Sequence, residues 1–148
     1  NLMRKINYIV VHCSATREGC TLTSEALEAE HRRRGFRTTG YHYYIRRDGT
    51  VLGTRSLELP GAHCRGHNKY SIGICYEGGL DARGNPKDTR TPEQRSALHL
   101  LVYQLLQQFR NARVCGHRDL SPDLDGDGTV EPWEWVKQCP CFEVSKEF

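Results

Sequence analysis

Three residues of the types that bind transition metals lie beside apolar runs or near the end of this sequence. His12 follows an apolar run at residues 6–11, His117 follows another at 112–115, and Cys139 comes later still. Two imidazoles and one thiolate suit Zn²⁺ with a fourth position open for water, which is typical of catalytic rather than structural zinc sites. The spacing alone is a weak signal, because a histidine at a strand end is more often a hydrogen-bonded structural residue.

A second metal-binding pattern occupies the stretch DLDGDGTVEPWE at residues 123–134. Carboxylates stand at loop positions 1, 3, 5, 9 and 12 and a glycine at position 6, as in the calcium loop of an EF-hand. The candidate calcium ligands are Asp123, Asp125, Asp127, Thr129 and Glu134. The Ser-Pro pair before the loop is not an entering helix, and acidic turns are common without metal. An acidic turn is therefore the favoured alternative to a Ca²⁺ site.

Short apolar runs predict the strands that would position these residues. Residues 6–11 and 71–76 are nearly continuous apolar stretches, typical of central strands covered on both faces. The RDG turn signal at 47–49 predicts a hairpin between residues 42–46 and 50–54. A last short strand is expected over residues 112–115, and residues 80–90 are expected to form a loop.

Two further stretches predict helices. The first covers residues 24–34, with Thr23 as its N-cap and Gly35 as its stop. The second starts after Thr91, where Gln94 completes a capping box. Its apolar stripe, at the 3.6-residue spacing of one buried face, comprises Ala97, Leu98, Leu101, Val102, Leu105, Leu106 and Phe109. The order of elements predicts an α/β fold: a single three-layer domain over residues 1–148, with a mixed central β-sheet flanked by helices.

Composition excludes several classes of protein. A chain of 148 residues suits one domain, and the formal charge of +3, without basic runs interleaved with aromatics, argues against nucleic-acid binding. That charge permits a mildly anionic substrate. No stretch approaches the roughly 18 apolar residues of a membrane helix, so we expect no membrane partner. We also expect the protein to be a monomer. Seven cysteines, an odd number, favour a reduced chain, with a Cys13–Cys20 bridge as the alternative.

Seven short motifs, in this order along the chain, resemble one enzyme family. They are VHCSAT at 11–16, GYHY at 40–43, RDGT at 47–50, GAH at 61–63, SIGI at 71–74, GHRD at 116–119 and KQCP at 137–140. The pattern is similar to that of the N-acetylmuramoyl-L-alanine amidases typified by bacteriophage T7 lysozyme, a family related to the peptidoglycan recognition proteins. The match extends over residues 8–142. The resemblance implies the three-layer fold, a zinc site, a peptidoglycan or muropeptide substrate, and hydrolysis of the bond between N-acetylmuramic acid and L-alanine.

The resemblance also implies roles for single residues. The zinc ligands of the family fall on His12, His117 and Cys139, and its catalytic tyrosine and lysine on Tyr41 and Lys137. Cationic Lys137 would then stabilise the oxyanion of the reacting amide, beside zinc that activates water. The proton for the leaving amine would come from Tyr41, from Lys137 or from zinc-bound water, three alternatives that the sequence leaves open.

Further cysteine and histidine residues are given secondary roles. Cys141 is a rival to Cys139 as a ligand, although the family pattern, with its ligand before proline, favours Cys139. His63 matches a site-lining histidine, with a substrate-binding role, a role behind the ligands or a purely structural role as the alternatives. His42 and His67 are interpreted as structural or surface residues.

Two other classes of function compete with a hydrolase. A peptidoglycan-binding module of the recognition-protein type would keep the fold without turnover, but such members typically lack the cysteine ligand. A zinc-stabilised interaction protein would not need the tyrosine and the lysine.

Asn1 and Leu2 precede Met3 and are interpreted as a cloning remnant. The apolar run after Lys5 is too short for a signal peptide, which favours cytoplasmic synthesis followed by release, as for a phage or prophage lysin.

Overall fold

The computed structural model describes residues 4–122, 124–128, 130–135 and 137–148. The strands are β1 (Tyr8–Cys13), β2 (Thr16–Arg17), β3 (Tyr43–Ile45), β4 (Val51–Gly53), β5 (Ser71–Tyr76), β6 (Gly79–Leu80) and β7 (Arg113–Gly116). The α-helices are α1 (Ser24–Arg33) and α2 (Pro92–Gln108). Short 3₁₀ helices cover Asn68–Tyr70, His117–Leu120, Pro132–Glu134 and Val144–Lys146.

Five of the strands form one mixed sheet in the order β4-β3-β5-β1-β7. Strand β1 lies between β5 and β7 and runs parallel to both, and β3 runs parallel to β5. The pairing of β3 with β4 is antiparallel, and it is the predicted hairpin. The carboxyl ends of β1, β5 and β7 therefore meet at one edge of the sheet.

The two α-helices cover opposite faces of this sheet. Ile72, Ile74 and Tyr76 of β5 pack with the apolar stripe of α2, in a cluster that includes all seven stripe residues. Cys75, whose side chain points to the other face of β5, packs with Tyr44 of β3 and Leu27 of α1. This arrangement of helix, sheet and helix confirms the predicted α/β class with its mixed central sheet.

Local capping explains where the helices begin. The Thr91 hydroxyl accepts a hydrogen bond from the Gln94 amide at 3.0 Å, and the Gln94 side chain accepts one from the Thr91 amide at 3.0 Å. This is the predicted capping box. Thr23 caps α1 as predicted, by accepting from the Ala26 amide at 3.1 Å. Each cap satisfies backbone donors that the first helical turn would otherwise leave unpaired.

Apart from one-residue shifts at the ends of α1, β3, β4 and β7, the structure differs from the sequence prediction in two places. Strand β1 extends to Cys13, so His12 lies inside the strand rather than after it. Part of the predicted loop at 80–90 is ordered by β6, which pairs in parallel with β2 in a small second sheet. Strands of two residues carry no periodic pattern, so the sequence offered no signal for this pairing.

No helix among the described residues is long and apolar enough to cross a membrane. All seven cysteines are free thiols.

Candidate active site

His12 and His117 are brought together by the register of two parallel strands. Val11 of β1 pairs with Gly116 of β7, so the next residue of each chain segment lies at the same edge of the sheet. The His12 and His117 rings are 4.4 Å apart, centroid to centroid. His12 is buried, at 2% exposed, whereas His117 begins a 3₁₀ helix and is half-buried.

Cys139 reaches the two histidines from the C-terminal segment. The Cys13 amide donates a hydrogen bond to the Cys139 thiol sulfur at 3.1 Å, and the Arg118 amide donates to the Cys139 carbonyl at 2.9 Å. Gly116 allows this approach, because a Cβ atom there would lie 2.7 Å from the Pro140 ring. The segment that carries Cys139 is therefore held directly over the ends of β1 and β7.

The ligand atoms that His12, His117 and Cys139 offer all lie within 4.8 Å of one another. Burial, followed by the electrostatic effects of His63 and His117, holds the pKa of His12 well below its usual value. Its neutral ring keeps a lone pair for a metal at neutral pH. Two imidazole nitrogens and a thiolate at this separation fit the donor set of a zinc site with an open position.

Cys141 lies beside this group without being part of it. Its sulfur is 4.0 Å from the Cys13 sulfur and donates to the Gly79 carbonyl at 3.4 Å. Among the described residues, the metal-binding group contains Cys139 and not Cys141. The sequence-based preference for Cys139 agrees with this geometry.

Tyr41 and Lys137 flank the three candidate ligands. The Tyr41 ring lies 5.1 Å from the His12 ring, and burial raises the pKa of its phenol well above the usual value. The hydroxyl is thus protonated at neutral pH and is a hydrogen-bond donor. Lys137 is exposed and lines the neighbouring groove together with His117. A cation and a neutral donor therefore both lie near the candidate metal site.

A groove of about 1040 Å³ opens beside the site. The described residues that line it include the cationic Arg34, Arg65, Arg118 and Lys137 but a single carboxylate, Asp119. The Asp119 carboxylate already accepts a hydrogen bond from the Gly116 amide at 2.7 Å. The groove is therefore net cationic, which favours a ligand that carries carboxylates.

His63 also lines the groove, but only 8% of it is exposed. Its Nδ1 lies 2.8 Å from His12 Nε2, and its Nε2 lies 3.0 Å from the Ser71 hydroxyl. Burial lowers the pKa of His63 to about 3, so its ring is neutral. Sequence patterns held no signal for Ser71, since its contact with His63 depends on how the loop that carries His63 packs against β5.

The histidines interpreted as structural or surface residues lie outside the ligand group. His42 is fully buried, accepts from the Gly73 amide at 3.0 Å through Nδ1, and lies 2.8 Å from the Leu59 carbonyl through Nε2. Both ring nitrogens of His42 are therefore occupied by backbone groups. His67 is half-buried in the groove lining, with its ring against Tyr8.

The acidic loop is described only in part. Oxygen atoms of Asp125, Asp127 and Glu131 lie within 4.8 Å of one another, at loop positions 3, 5 and 9. Asp123, Thr129 and the side chain of Glu134 lie outside the described residues. The Asp125 carboxylate accepts a hydrogen bond from the Asp127 amide at 3.1 Å, which is the geometry of a simple acidic turn as well as of a metal loop.

Comparisons with known proteins assign this chain to one family. The family model for N-acetylmuramoyl-L-alanine amidase matches residues 2–140. The endolysin of Klebsiella phage KP32 is 35% identical over 143 residues, covering 97% of this chain and 85% of the relative. The endolysin of Escherichia phage T7 is 33% identical over 138 residues, covering 93% and 82%.

More distant relatives agree with this assignment. The solved amidase LysC of Clostridium intestinale matches with a TM-score of 0.73 and 26% identity, covering 97% of this chain and 82% of that structure. A peptidoglycan-recognition protein of Drosophila melanogaster is 30% identical over 121 residues, covering 78% of this chain and 65% of the relative. The chain belongs to the N-acetylmuramoyl-L-alanine amidase family, which confirms the resemblance recognised in its motifs.

Proposed function

We propose that this chain is a zinc-dependent hydrolase of the amide bond between N-acetylmuramic acid and L-alanine in peptidoglycan. The observation that carries the proposal is the convergence of His12, His117 and Cys139 within 4.8 Å at the edge of a cationic groove. Nitrogen and sulfur donors favour zinc over the hard cations Ca²⁺ and Mg²⁺. Zinc bound by these three side chains would polarise the scissile carbonyl and supply hydroxide at neutral pH.

The side chains of the chain itself orient the substrate and stabilise charge. Lys137 provides a positive charge where negative charge develops on the carbonyl oxygen of the amide. Tyr41 is proposed to donate a hydrogen bond to the reacting centre, because its phenol is protonated and its ring lies 5.1 Å from the His12 ring. The exposed arginines of the groove, Arg34 and Arg65, attract the free carboxylates of the stem peptide and align it along the groove.

The rival function, a binding module without turnover, is disfavoured by Cys139. A module that only binds peptidoglycan needs the groove, but it does not need a cysteine sulfur beside two imidazoles. The Cys13 amide donates to the Cys139 sulfur at 3.1 Å, a contact that holds this sulfur beside the two imidazoles. We therefore favour catalysis over binding alone.

Product analysis of a peptidoglycan digest tests the proposal directly. Mass spectrometry is expected to find intact glycan strands and peptides with a free L-alanine amine. A strong chelator is expected to abolish this release, and added zinc to restore it. New reducing ends without freed amines would indicate a glycosidase, and full release by verified metal-free protein would refute the zinc mechanism.

A pair of cysteine variants separates catalysis from fold. Cys139→Ser removes a proposed ligand, and we expect loss of bound zinc and of peptide release. Cys141→Ser changes a neighbouring thiol outside the ligand group and is the matched control, expected to keep both. Equal zinc loss in the two variants would refute the assignment of Cys139 as the ligand.

The endolysins among the relatives suggest where such an activity would be used. We propose that the chain is a monomeric phage or prophage lysin that is made in the cytoplasm and released to the cell wall. Size-exclusion chromatography with light scattering tests the monomer, and lysis of bacteria from within after expression tests the role.

A further inference from the structure

A chain of hydrogen bonds runs from the candidate ligand His12 into the protein interior. His12 Nε2 lies 2.8 Å from His63 Nδ1, and His63 Nε2 lies 3.0 Å from the Ser71 hydroxyl oxygen. All three residues are buried, at 2%, 8% and 0% exposed respectively. In such surroundings each ring nitrogen needs a partner of complementary type, because an unpaired buried polar atom is costly.

The contact with His63 leaves His12 only one ring nitrogen for a metal. If Nδ1 of His12 binds zinc, Nε2 must carry the ring proton of the neutral imidazole and donate it to His63 Nδ1. Because Nδ1 of His63 accepts this hydrogen bond, the ring proton of His63 lies on Nε2, which donates to the Ser71 hydroxyl. The hydrogen bonds from His12 to His63 and from His63 to Ser71 therefore have one consistent set of donors and acceptors.

We propose that His63 is a positioning residue that fixes the tautomer and the ring orientation of His12 for zinc binding. This inference rests on the proposed zinc site and assigns His63 a role behind the ligand rather than in substrate binding. A partner of this kind accepts a hydrogen bond from the ring N–H of a ligand histidine. It raises the basicity of that histidine and fixes the orientation of its ring. A substrate-binding role would need an accessible polar edge, but both nitrogens of His63 are already occupied.

The backbone around His63 is shaped to hold this ring in place. A Cβ atom at Gly73 would lie 2.7 Å from the His63 ring, so only glycine lets the imidazole pack directly against the middle of β5. The His63 amide donates to the Asn68 side-chain oxygen at 3.0 Å, which anchors the loop that carries the ring. The ring is therefore restrained by packing as well as by its two hydrogen bonds.

Zinc affinity measured by competition with a chromogenic chelator tests the role without relying on activity. His63→Leu removes the acceptor for His12, and a loss of affinity of about 10- to 100-fold is expected. His63→Asn can keep an amide oxygen near the position of Nδ1, so it is expected to recover most of the affinity. Ser71→Ala removes only the hydrogen bond between Ser71 and His63. Its zinc affinity is expected to lie between those of wild type and His63→Leu.

The matched control is His67→Leu, the same substitution at another histidine of the groove lining, whose ring packs against Tyr8 instead of a ligand. It is expected to keep wild-type zinc affinity. If His63→Leu also keeps wild-type affinity and only raises KM, His63 is a substrate-binding residue and the inference is overturned. If the wild-type protein binds no zinc, the proposed function itself fails, which is a different outcome.

A measurement on the wild-type protein covers the case in which His63→Leu does not fold. In ¹⁵N spectra of the imidazoles of zinc-loaded protein, we expect His12 to be protonated at Nε2 and His63 at Nε2 with an unprotonated Nδ1. An unprotonated Nε2 on His12 would overturn the inference whatever the variants do.

Discussion

Replacing Glu147 by glutamine should destabilise the protein, because Glu147 forms an ion pair with the buried Arg90. Arg90, whose side chain is fully buried, donates to the Glu147 carboxylate at 2.6 Å and also to Asp88 at 2.9 Å. Its guanidinium stacks 3.4 Å above the centroid of the Phe142 ring. The ion pair thus holds the C-terminal segment, which begins with Cys139, against the loop before α2.

The hydrogen bonds from Arg90 lower the pKa of Glu147 to about 2, from its usual value of 4.5. At about 1.4 kcal/mol per pKa unit, that difference corresponds to at most roughly 3 kcal/mol of stability at neutral pH. Because the folded-state pKa is depressed, this stability is fully present above about pH 5 and is lost as the pH falls towards 2. Solvent screens the partly exposed carboxylate and Asp88 still pairs with Arg90 in the variant, so we expect Glu147→Gln to cost about 2 kcal/mol.

Urea unfolding of wild type and Glu147→Gln between pH 7 and pH 2 measures both the size and the pH dependence of this effect. The variant is expected to show lower stability at pH 7 and a flatter decline between pH 5 and pH 2. Glu18→Gln, which breaks the exposed pair with Lys87, is the control and should cost less than about 1 kcal/mol. A variant as stable as wild type at pH 7, with an unchanged pH profile, would refute the reasoning.

Three further outcomes are expected. Tyr41→Phe and Lys137→Ala should each lower kcat by at least about 100-fold with zinc content and melting temperature near wild type; turnover retained in both would refute their catalytic roles. Dialysis against a chelator should lower the melting temperature, and added zinc should restore it, because a ligand that binds only the folded state stabilises that state. An unchanged melting curve would count against the zinc site. If the acidic loop binds Ca²⁺, millimolar Ca²⁺ should raise the melting temperature of zinc-loaded protein, and a double Asp125→Ala, Asp127→Ala variant should lack the rise. No shift in wild type would identify the acidic turn that the sequence favours.

The parts of the fold that could be predicted are those with a strong local signal. Helix α2 has a capping box at Thr91 and an apolar stripe, and each depends only on residues a few positions apart. Strand β5 was predicted with its observed bounds, because an apolar run between polar segments is a clear pattern. By contrast, the pairing of β2 with β6 depends on contacts between distant two-residue segments, for which the sequence holds no periodic signal.

The site shows the same division between local and distant information. The motifs identified the candidate residues His12, His117 and Cys139 only through their resemblance to a family, since ligands so far apart have no local spacing rule. The contact between His12 and His63 could not be read from the sequence. It requires the parallel register of β1 with β5 and the absence of a side chain at Gly73, and both are properties of the folded sheet.

The distance along the chain between the two sides of the candidate site has a consequence for the timing of its assembly. Cys13 and Cys139, which touch through a hydrogen bond, are 126 residues apart in sequence. β1 is synthesised before the segment with Cys139, so the complete ligand set cannot exist on a chain that stops short of residue 139. Every element of the central sheet is synthesised before that segment can dock. Amidase activity should therefore appear only after the segment that carries Cys139 has been made and has docked, and a chain truncated before residue 139 should bind zinc weakly.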